Sequence, residues 1–287
     1  MKKLKSGAFT TTLELEPGRE YEFRYLLDKK VCDENAIEEA CGPGTRMIYV
    51  ESPSNPLLTI VDLAAVAAFA KPRGIMTIID NTFASPILQN PLVLGFDLVM
   101  HSGTKYLGGH SDLCCGTVNG SAELIAKVRD HAIAYGGCLN AQDCYLLERS
   151  LKTLALRVER QSSNAAIIAG YLDENEHVKR VYYPGLINHP GFEEASRQMR
   201  GFGGMVTVEL KGGHEAAKRF VQSLRIFTSA VSLGGVESLA EIPYFLTHSA
   251  MQETEVAIDP ATVRLSVGLE HAHDLIADLD QALAQIQ

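Results

Sequence analysis

Short apolar runs alternate with longer segments of helical periodicity from residue 31 to the end of the chain. Runs of five or six residues, bounded by polar residues, are typical of strands that are buried on both faces of a parallel sheet. Such runs occur at residues 46–51, 75–79, 96–100 and 115–119. An alanine-rich segment at residues 61–71 predicts a helix between the first two of them. This alternation predicts a doubly wound α/β sheet.

The second half of the chain predicts two more helices, at residues 121–135 and 141–164, the second long enough to connect two domains. A smaller α/β unit follows, with strands and helices predicted at residues 204–210, 214–224, 263–267 and 271–286. We therefore place a partial large domain at residues 31–156. A C-terminal small domain is expected at residues 157–287.

Residues 1–30 follow a different pattern. Two alternating strands, at residues 8–15 and 20–26, flank Pro17-Gly18 and predict a β-hairpin. The run resembles the second half of a glycogen-binding β-sandwich module. A lone hairpin is marginal in water, and the chain has no tryptophan for a sugar platform. We interpret residues 1–30 as a fusion scar or recombined β-hairpin leader, with a glycan-binding module as the alternative.

Composition narrows the class of protein. The 287 residues carry a net charge of −9, which disfavours nucleic acid and anionic membranes as partners. No run approaches membrane-spanning length, and no signal peptide is recognisable. The six cysteines form no metal-type C-x-x-C pair and predict reduced, buried thiols. We expect a cytoplasmic protein.

Chemistry is concentrated where two predicted strands end. Asp80 follows one strand, and the sequence His101-Ser102-Gly103-Thr104-Lys105 follows the next. The carboxyl ends of parallel strands meet at one edge of the sheet, where ligands bind. A lysine, a carboxylate and hydroxyl donors are what pyridoxal phosphate (PLP) requires. The alternative is a surface lysine and an aspartate that caps a turn.

Long motifs in a fixed order resemble the Cys/Met-metabolism (trans-sulfuration) family of PLP-dependent enzymes. The resemblance covers roughly residues 31–287 and implies a fold-type I architecture, with a truncated large domain and a smaller C-terminal domain. The motifs are YVESPSNP from Tyr49, DNTF from Asp80, HSGTKYLGGHSD from His101, TLALRVERQ from Thr153, SLGGVESL from Ser232, and VRLSVG from Val263.

The resemblance implies roles at the cofactor. Lys105 would bind the cofactor covalently and later move protons, and Asp80 would hold the pyridine nitrogen protonated. Ser102 and Thr104 would donate to the phosphate, although both could be simple turn formers. Thr82 would brace the ring, and Asn55, held extended before Pro56, would bind the cofactor's 3′ oxygen and the substrate.

Further residues are implied at the substrate. Arg264 would bind the α-carboxylate through a two-pronged guanidinium contact, or instead form an ion pair between domains. Ser232 and Leu233 lie in a turn expected near the same carboxylate. Glu237 matches a position where γ-acting members of the family carry an acid; a solvated loop glutamate is the alternative.

Two groups of residues imitate functional sites. His101, His110 and Asp112 lack the helical spacing of a metal motif, so structural roles are favoured and no metal is expected. Cys114 and Cys115 open a predicted apolar strand, and we expect them in the core rather than as nucleophiles.

The resemblance implies cleavage of the Cγ–S bond of cystathionine, a small sulfur amino acid, by a homodimer or homotetramer. Cystathionine γ-synthase, methionine γ-lyase and O-acyl-homoserine sulfhydrylase activities share these residues and stay open. Family members also carry an N-terminal arm, a glycine-led phosphate loop and a stacking tyrosine that residues 1–30 do not match. We therefore expect weak cofactor loading and impaired self-association, with an inactive scaffold subunit as the alternative from another class.

Overall fold

The computed structural model describes residues 2–3, 9–16, 19–25, 34–246 and 258–286. A seven-stranded sheet has its strands in chain order, with parallel pairing from β3 to β6 and antiparallel pairing at both sides. Its strands are β1 (Lys2–Lys3), β2 (Phe9–Glu16), β3 (Arg19–Tyr25), β4 (Met47–Glu51), β5 (Met76–Asp80), β6 (Leu98–Ser102) and β7 (Gly116–Gly120).

The predicted hairpin corresponds to β2 and β3, which pair antiparallel from Phe9–Tyr25 to Glu16–Arg19. The turn predicted at Pro17-Gly18 lies outside the described residues. Strand β3 pairs with β4 through Tyr25 and Tyr49, so the hairpin strands extend the large sheet.

A second sheet of five strands has the order β10-β11-β12-β9-β8 and is mostly antiparallel. It supplies the strand that carries Arg264, paired opposite Thr207 and Glu241. Its strands are β8 (Val178–Tyr182), β9 (Met205–Leu210), β10 (Thr228–Ser229), β11 (Leu239–Glu241) and β12 (Thr262–Ser266).

The helices cover the sheets and connect them, and a 3-10 turn at Lys71–Arg73 follows α2. The α-helices are α1 (Glu34–Ala40), α2 (Leu63–Ala70), α3 (Ser85–Leu88), α4 (Ala122–Tyr135), α5 (Ala141–Leu151), α6 (Leu154–Asp173), α7 (Phe192–Gln198), α8 (Gly213–Ser223), α9 (Pro243–Leu246) and α10 (Ala272–Leu283). None of those in the described ranges has the length and apolar character needed to cross a bilayer.

The single helix predicted at residues 141–164 is wrong, because the chain forms α5 and α6 with a break between them. Thr153 has φ −111° and ψ 4°, outside the helical region. At the break, the Ser150 carbonyl accepts hydrogen bonds from the Thr153 N–H and from Arg157, and the Thr153 hydroxyl accepts another from Arg157. A buried side chain thus competes with helix continuation, which periodicity alone does not reveal.

The expectation of buried cysteines is also wrong. Cys114, Cys138 and Cys144 are exposed, and Cys41 and Cys115 are half-buried. For Cys114 and Cys115 the reason is that they precede β7, a sheet-edge strand that pairs antiparallel with β6 and leaves most of its residues exposed. The apolar run at residues 115–119 is therefore not a core strand.

Three apolar clusters stabilise the fold. One lies under the parallel strands around Ile79 and Val99. Another fills the second unit around Phe220 and Leu265. The third lies between the two sheets and combines residues from both halves of the chain, including Leu58, Tyr106, Leu154, Met205 and Leu233. The candidate site lies beside this third cluster.

Candidate functional site

The carboxyl ends of three parallel strands bring the predicted polar residues to one edge. Glu51 pairs in register with Asp80, and Asp80 pairs with Met100, two residues before Ser102. The Asp80 carboxylate accepts a hydrogen bond of 2.9 Å from the Thr82 N–H. The Thr82 hydroxyl in turn accepts one of 2.8 Å from the Ser102 N–H. Asp80, Thr82 and Ser102 are therefore joined, as expected from the strand ends.

Lys105 lies in a π-type turn, Gly103–Leu107, that directly follows β6. Its backbone departs from helical geometry, with φ −87° and ψ −123°. The Lys105 amine donates a hydrogen bond of 3.2 Å to the Ser232 hydroxyl. Burial lowers the pKa of Lys105, and the positive charge of Arg264 lowers it further. A larger fraction of the amine is therefore neutral and nucleophilic than for an exposed lysine.

The hydroxyl of Thr104 contacts the backbone of Cys115, just before β7. It accepts from the Cys115 N–H at 3.1 Å and lies 3.4 Å from the Cys115 carbonyl oxygen. These contacts anchor the lysine-bearing turn to the sheet edge. A phosphate-binding role for Thr104 stays a prediction.

Arg264 connects the two halves of the site. Its guanidinium donates to the Asn55 amide oxygen at 2.9 Å and to the carbonyls of Val231 and Ser232 at 2.8 and 3.2 Å. The guanidinium also forms a buried ion pair with Glu241 at 3.0 Å. The ion pair considered as an alternative is therefore present, and it coexists with the predicted position beside Asn55 and Ser232.

Leu233 and Glu237 lie on the same loop but in different surroundings. Leu233 is buried in the cluster between the sheets. The carboxylate of Glu237 accepts a 2.5 Å hydrogen bond from the Ser111 hydroxyl, on the loop that follows the lysine-bearing turn. Its contact is thus with the loop beyond Lys105, and a role toward the substrate stays a prediction.

The two histidines considered as metal ligands lie in β6 and in the loop that follows the lysine-bearing turn. His101 is buried in β6, where burial lowers its pKa. His110 lies 2.7 Å from the Gly108 carbonyl oxygen through Nδ1. Within the ranges that the structure describes, no three histidine, cysteine or acidic side chains are grouped so as to hold a metal ion.

Glu51 is a site residue that the sequence analysis missed. Its carboxylate accepts a 3.1 Å hydrogen bond from the Asn55 N–H, so it orients the residue that contacts Arg264. Burial and the negative charge of Asp80 raise the pKa of Glu51 to about 8. The available signal was its place at a strand end, level with Asp80.

The raised pKa of Glu51 makes stability depend on pH. The folded state binds the Glu51 proton more tightly than the unfolded chain, where the ordinary value is 4.5. Protonated Glu51 therefore contributes to the free energy of unfolding at low pH. That contribution is lost as pH rises from about 4.5 to about 8, by up to about 1.4 kcal/mol per pH unit. Glu51→Gln is expected to flatten that slope, measured as the free energy of unfolding in urea between pH 5 and 8. Exposed Glu148→Gln is the control; equal slopes in all three proteins would contradict the assignment.

The chain is similar to known proteins over most of its length. The Cys/Met metabolism PLP-dependent enzyme family matches residues 25–284. Cystathionine beta-lyase of Lactococcus lactis subsp. cremoris is 47% identical over 243 residues, which are 83% of this chain and 64% of that protein. This chain thus spans a little under two thirds of that relative.

Two further relatives carry different names. Cystathionine gamma-synthase of Mycobacterium tuberculosis (strain ATCC 25618 / H37Rv) is 47% identical over 255 residues, covering 88% of this chain and 66% of that protein. The crystal structure of cystathionine gamma-lyase from Lactobacillus plantarum, complexed with L-serine, superposes with a TM-score of 0.85 at 44% identity. That match covers 89% of this chain and 68% of the other.

Proposed function

The chain belongs to the Cys/Met metabolism family of PLP-dependent enzymes, and we propose that it is a carbon–sulfur lyase that cleaves the Cγ–S bond of cystathionine. One observation carries the proposal. Lys105 at the end of one sheet contacts Ser232, whose carbonyl accepts from Arg264 of the other sheet. An amine with a lowered pKa and a buried guanidinium therefore belong to one connected site, which supports the proposal.

The side chains present fit PLP by their chemistry. Asp80 offers a carboxylate for the pyridinium nitrogen, Lys105 an amine for the aldehyde, and Ser102 a hydroxyl for the phosphate. The Thr82 hydroxyl already braces the Ser102 backbone. Asn55 would bind the 3′ oxygen. When bound, the cofactor supplies an electron sink for charge that develops on the substrate.

Lys105 and Arg264 would divide the remaining work. The lowered pKa of Lys105 leaves more of the amine neutral, in the form that would accept a proton from the substrate carbon and return it later. Ser232 holds the amine in place through its hydroxyl. Arg264 keeps one donor without a partner, the buried Nε, and its terminal nitrogens are bonded to Asn55 and Glu241 and to two carbonyls. A two-pronged contact with a substrate carboxylate would therefore replace at least one of these hydrogen bonds. Asn55 fixes the guanidinium plane.

The choice of bond is tested by the products. Cleavage on the γ side of cystathionine releases cysteine and leaves 2-oxobutanoate and ammonia, whereas β-cleavage releases homocysteine and leaves pyruvate and ammonia. Relatives with β-lyase names are as similar as those with γ-synthase names, so β-cleavage is the second candidate. Purified protein, PLP and cystathionine, with both keto acids measured, decide between them. Failure to bind PLP in a titration would favour a scaffold subunit instead.

Self-association is a second part of the proposal. Helix α4 buries none of its residues, and α5 buries only Ser150. Large apolar side chains are exposed on this side of the molecule: Ile133, Tyr135 and Tyr145. Such surface favours covering by another subunit, because it is unfavourable in water. Sedimentation analysis of the purified chain tests whether it forms dimers or tetramers. The free thiols of the described residues suit a cytoplasmic location, which we also propose.

A further inference from the structure

Three polar side chains are buried along one face of helix α6. Arg157, Gln161 and Asn164 are 4%, 0% and 1% exposed. Their spacing of four and three residues places them in a row on the helix. Burial of such groups is costly unless hydrogen bonds offset it. The amide oxygens of Gln161 and Asn164 have no partner, so the groups to which the three side chains donate account for their burial. We call these three residues the α6 polar row.

Arg157 binds the segment that carries Lys105. Its guanidinium donates to the Tyr106 carbonyl at 2.8 Å and to the Leu107 carbonyl at 3.4 Å. Gly109 makes room for it: with φ +70°, a Cβ there would lie 2.0 Å from the guanidinium. The two residues after the lysine are thus fixed to α6 by main-chain contacts.

Gln161 and Asn164 bind the other two segments of the site. The Gln161 amide donates to the Gly235 carbonyl at 2.6 Å, on the loop that begins with Ser232. The Asn164 amide donates to the carbonyls of Gly268 and Glu270 at 3.1 and 2.8 Å. These carbonyls follow the strand that carries Arg264.

The three segments also pack against one another. Gly234, with φ +74°, approaches Tyr106 so closely that a Cβ would lie 2.8 Å from the Tyr106 nitrogen. The Val236 N–H donates to the Gly109 carbonyl at 3.0 Å, and the Leu269 N–H to the Val236 carbonyl at 2.8 Å. Segments with so little space between them have to be held in register.

We propose that the α6 polar row positions the site, by setting the spacing between Lys105, Ser232 and Arg264 from a single helix. The inference deepens the proposed function and rests on it for the roles of Lys105 and Arg264. The row acts on main-chain carbonyls, so its members are positioning residues. Because each member holds a different segment, each should affect a different property.

Arg157→Met is expected to weaken PLP binding about tenfold or more, since hydrogen bonds from a charged donor to the lysine-bearing turn are lost. Arg157→Lys keeps the charge and should restore part of the affinity. Asn164→Leu should instead raise the KM for cystathionine with PLP binding little changed. Arg129→Met, an exposed arginine on α4, is the matched control. PLP titration and steady-state kinetics measure these effects.

Amide hydrogen exchange without cofactor provides a readout that does not depend on activity. Arg157→Met should speed exchange at the Gly108 and Gly109 amides, which close the lysine-bearing turn, and Asn164→Leu at residues 267–270. Uniform exchange changes, or equal losses of PLP affinity and KM in both variants, would overturn the inference. Localised exchange changes in a protein that does not cleave cystathionine would uphold the positioning and reject the lyase assignment.

Discussion

Lys105→Ala is expected to reduce cystathionine cleavage by about a thousandfold or more, because general acid–base catalysis alone contributes about 10²–10⁴-fold. The variant loses both the amine for the cofactor aldehyde and the group that moves the substrate proton. Burial and Arg264 lower the pKa of this amine, and alanine provides no group that could take up the proton. Thiol release measures the activity, and folding is checked by thermal unfolding.

Borohydride reduction of the PLP-loaded protein, followed by peptide mapping, identifies the attached lysine directly. We expect the pyridoxyl group on Lys105. Lys127→Ala is the matched control, since Lys127 is exposed and pairs with Glu123 on α4. A pyridoxyl group on Lys127 or Lys71, or full activity in Lys105→Ala, would refute the assignment.

The strand ends could be predicted because local pattern determines them. The apolar runs at residues 75–79 and 96–100 became Met76–Asp80 and Leu98–Ser102, each shifted by only one or two residues. A parallel sheet buries such strands on both faces, so the signal is strong. The meeting of Asp80 and Ser102 at one edge followed from that rule alone.

Residues whose partners are distant in the chain were missed. Arg157 lies in a helical pattern, and nothing nearby indicates that it contacts carbonyls about 50 residues away. Glu241 is buried at the end of a short strand and pairs with Arg264. The contact of the Thr104 hydroxyl with Cys115 was also missed, while its predicted phosphate role stays a prediction. Tertiary contacts decide these roles, and a single sequence does not contain them in its local pattern.

Arg264→Lys is expected to raise the KM for cystathionine about tenfold to a hundredfold while PLP stays bound. A bidentate guanidinium contact with the α-carboxylate is replaced by a point charge, and hydrogen bonds to charged groups contribute about 1.5–3 kcal/mol. The variant also disturbs the ion pair with Glu241 and the contact with Asn55. Stability and KM therefore both change, and the two causes have to be separated.

Glu241→Gln separates them, because it removes the charge of the ion pair and keeps the arginine. Disrupting a buried pair costs about 3–5 kcal/mol of stability, so both variants should unfold more easily. Only Arg264→Lys should raise KM, since in Glu241→Gln the guanidinium charge is less neutralised and attracts the substrate carboxylate at least as well. Equal KM increases in both variants would make Arg264 a purely structural arginine. A raised KM in Arg264→Lys alone assigns the carboxylate contact to the guanidinium that joins the two sheets.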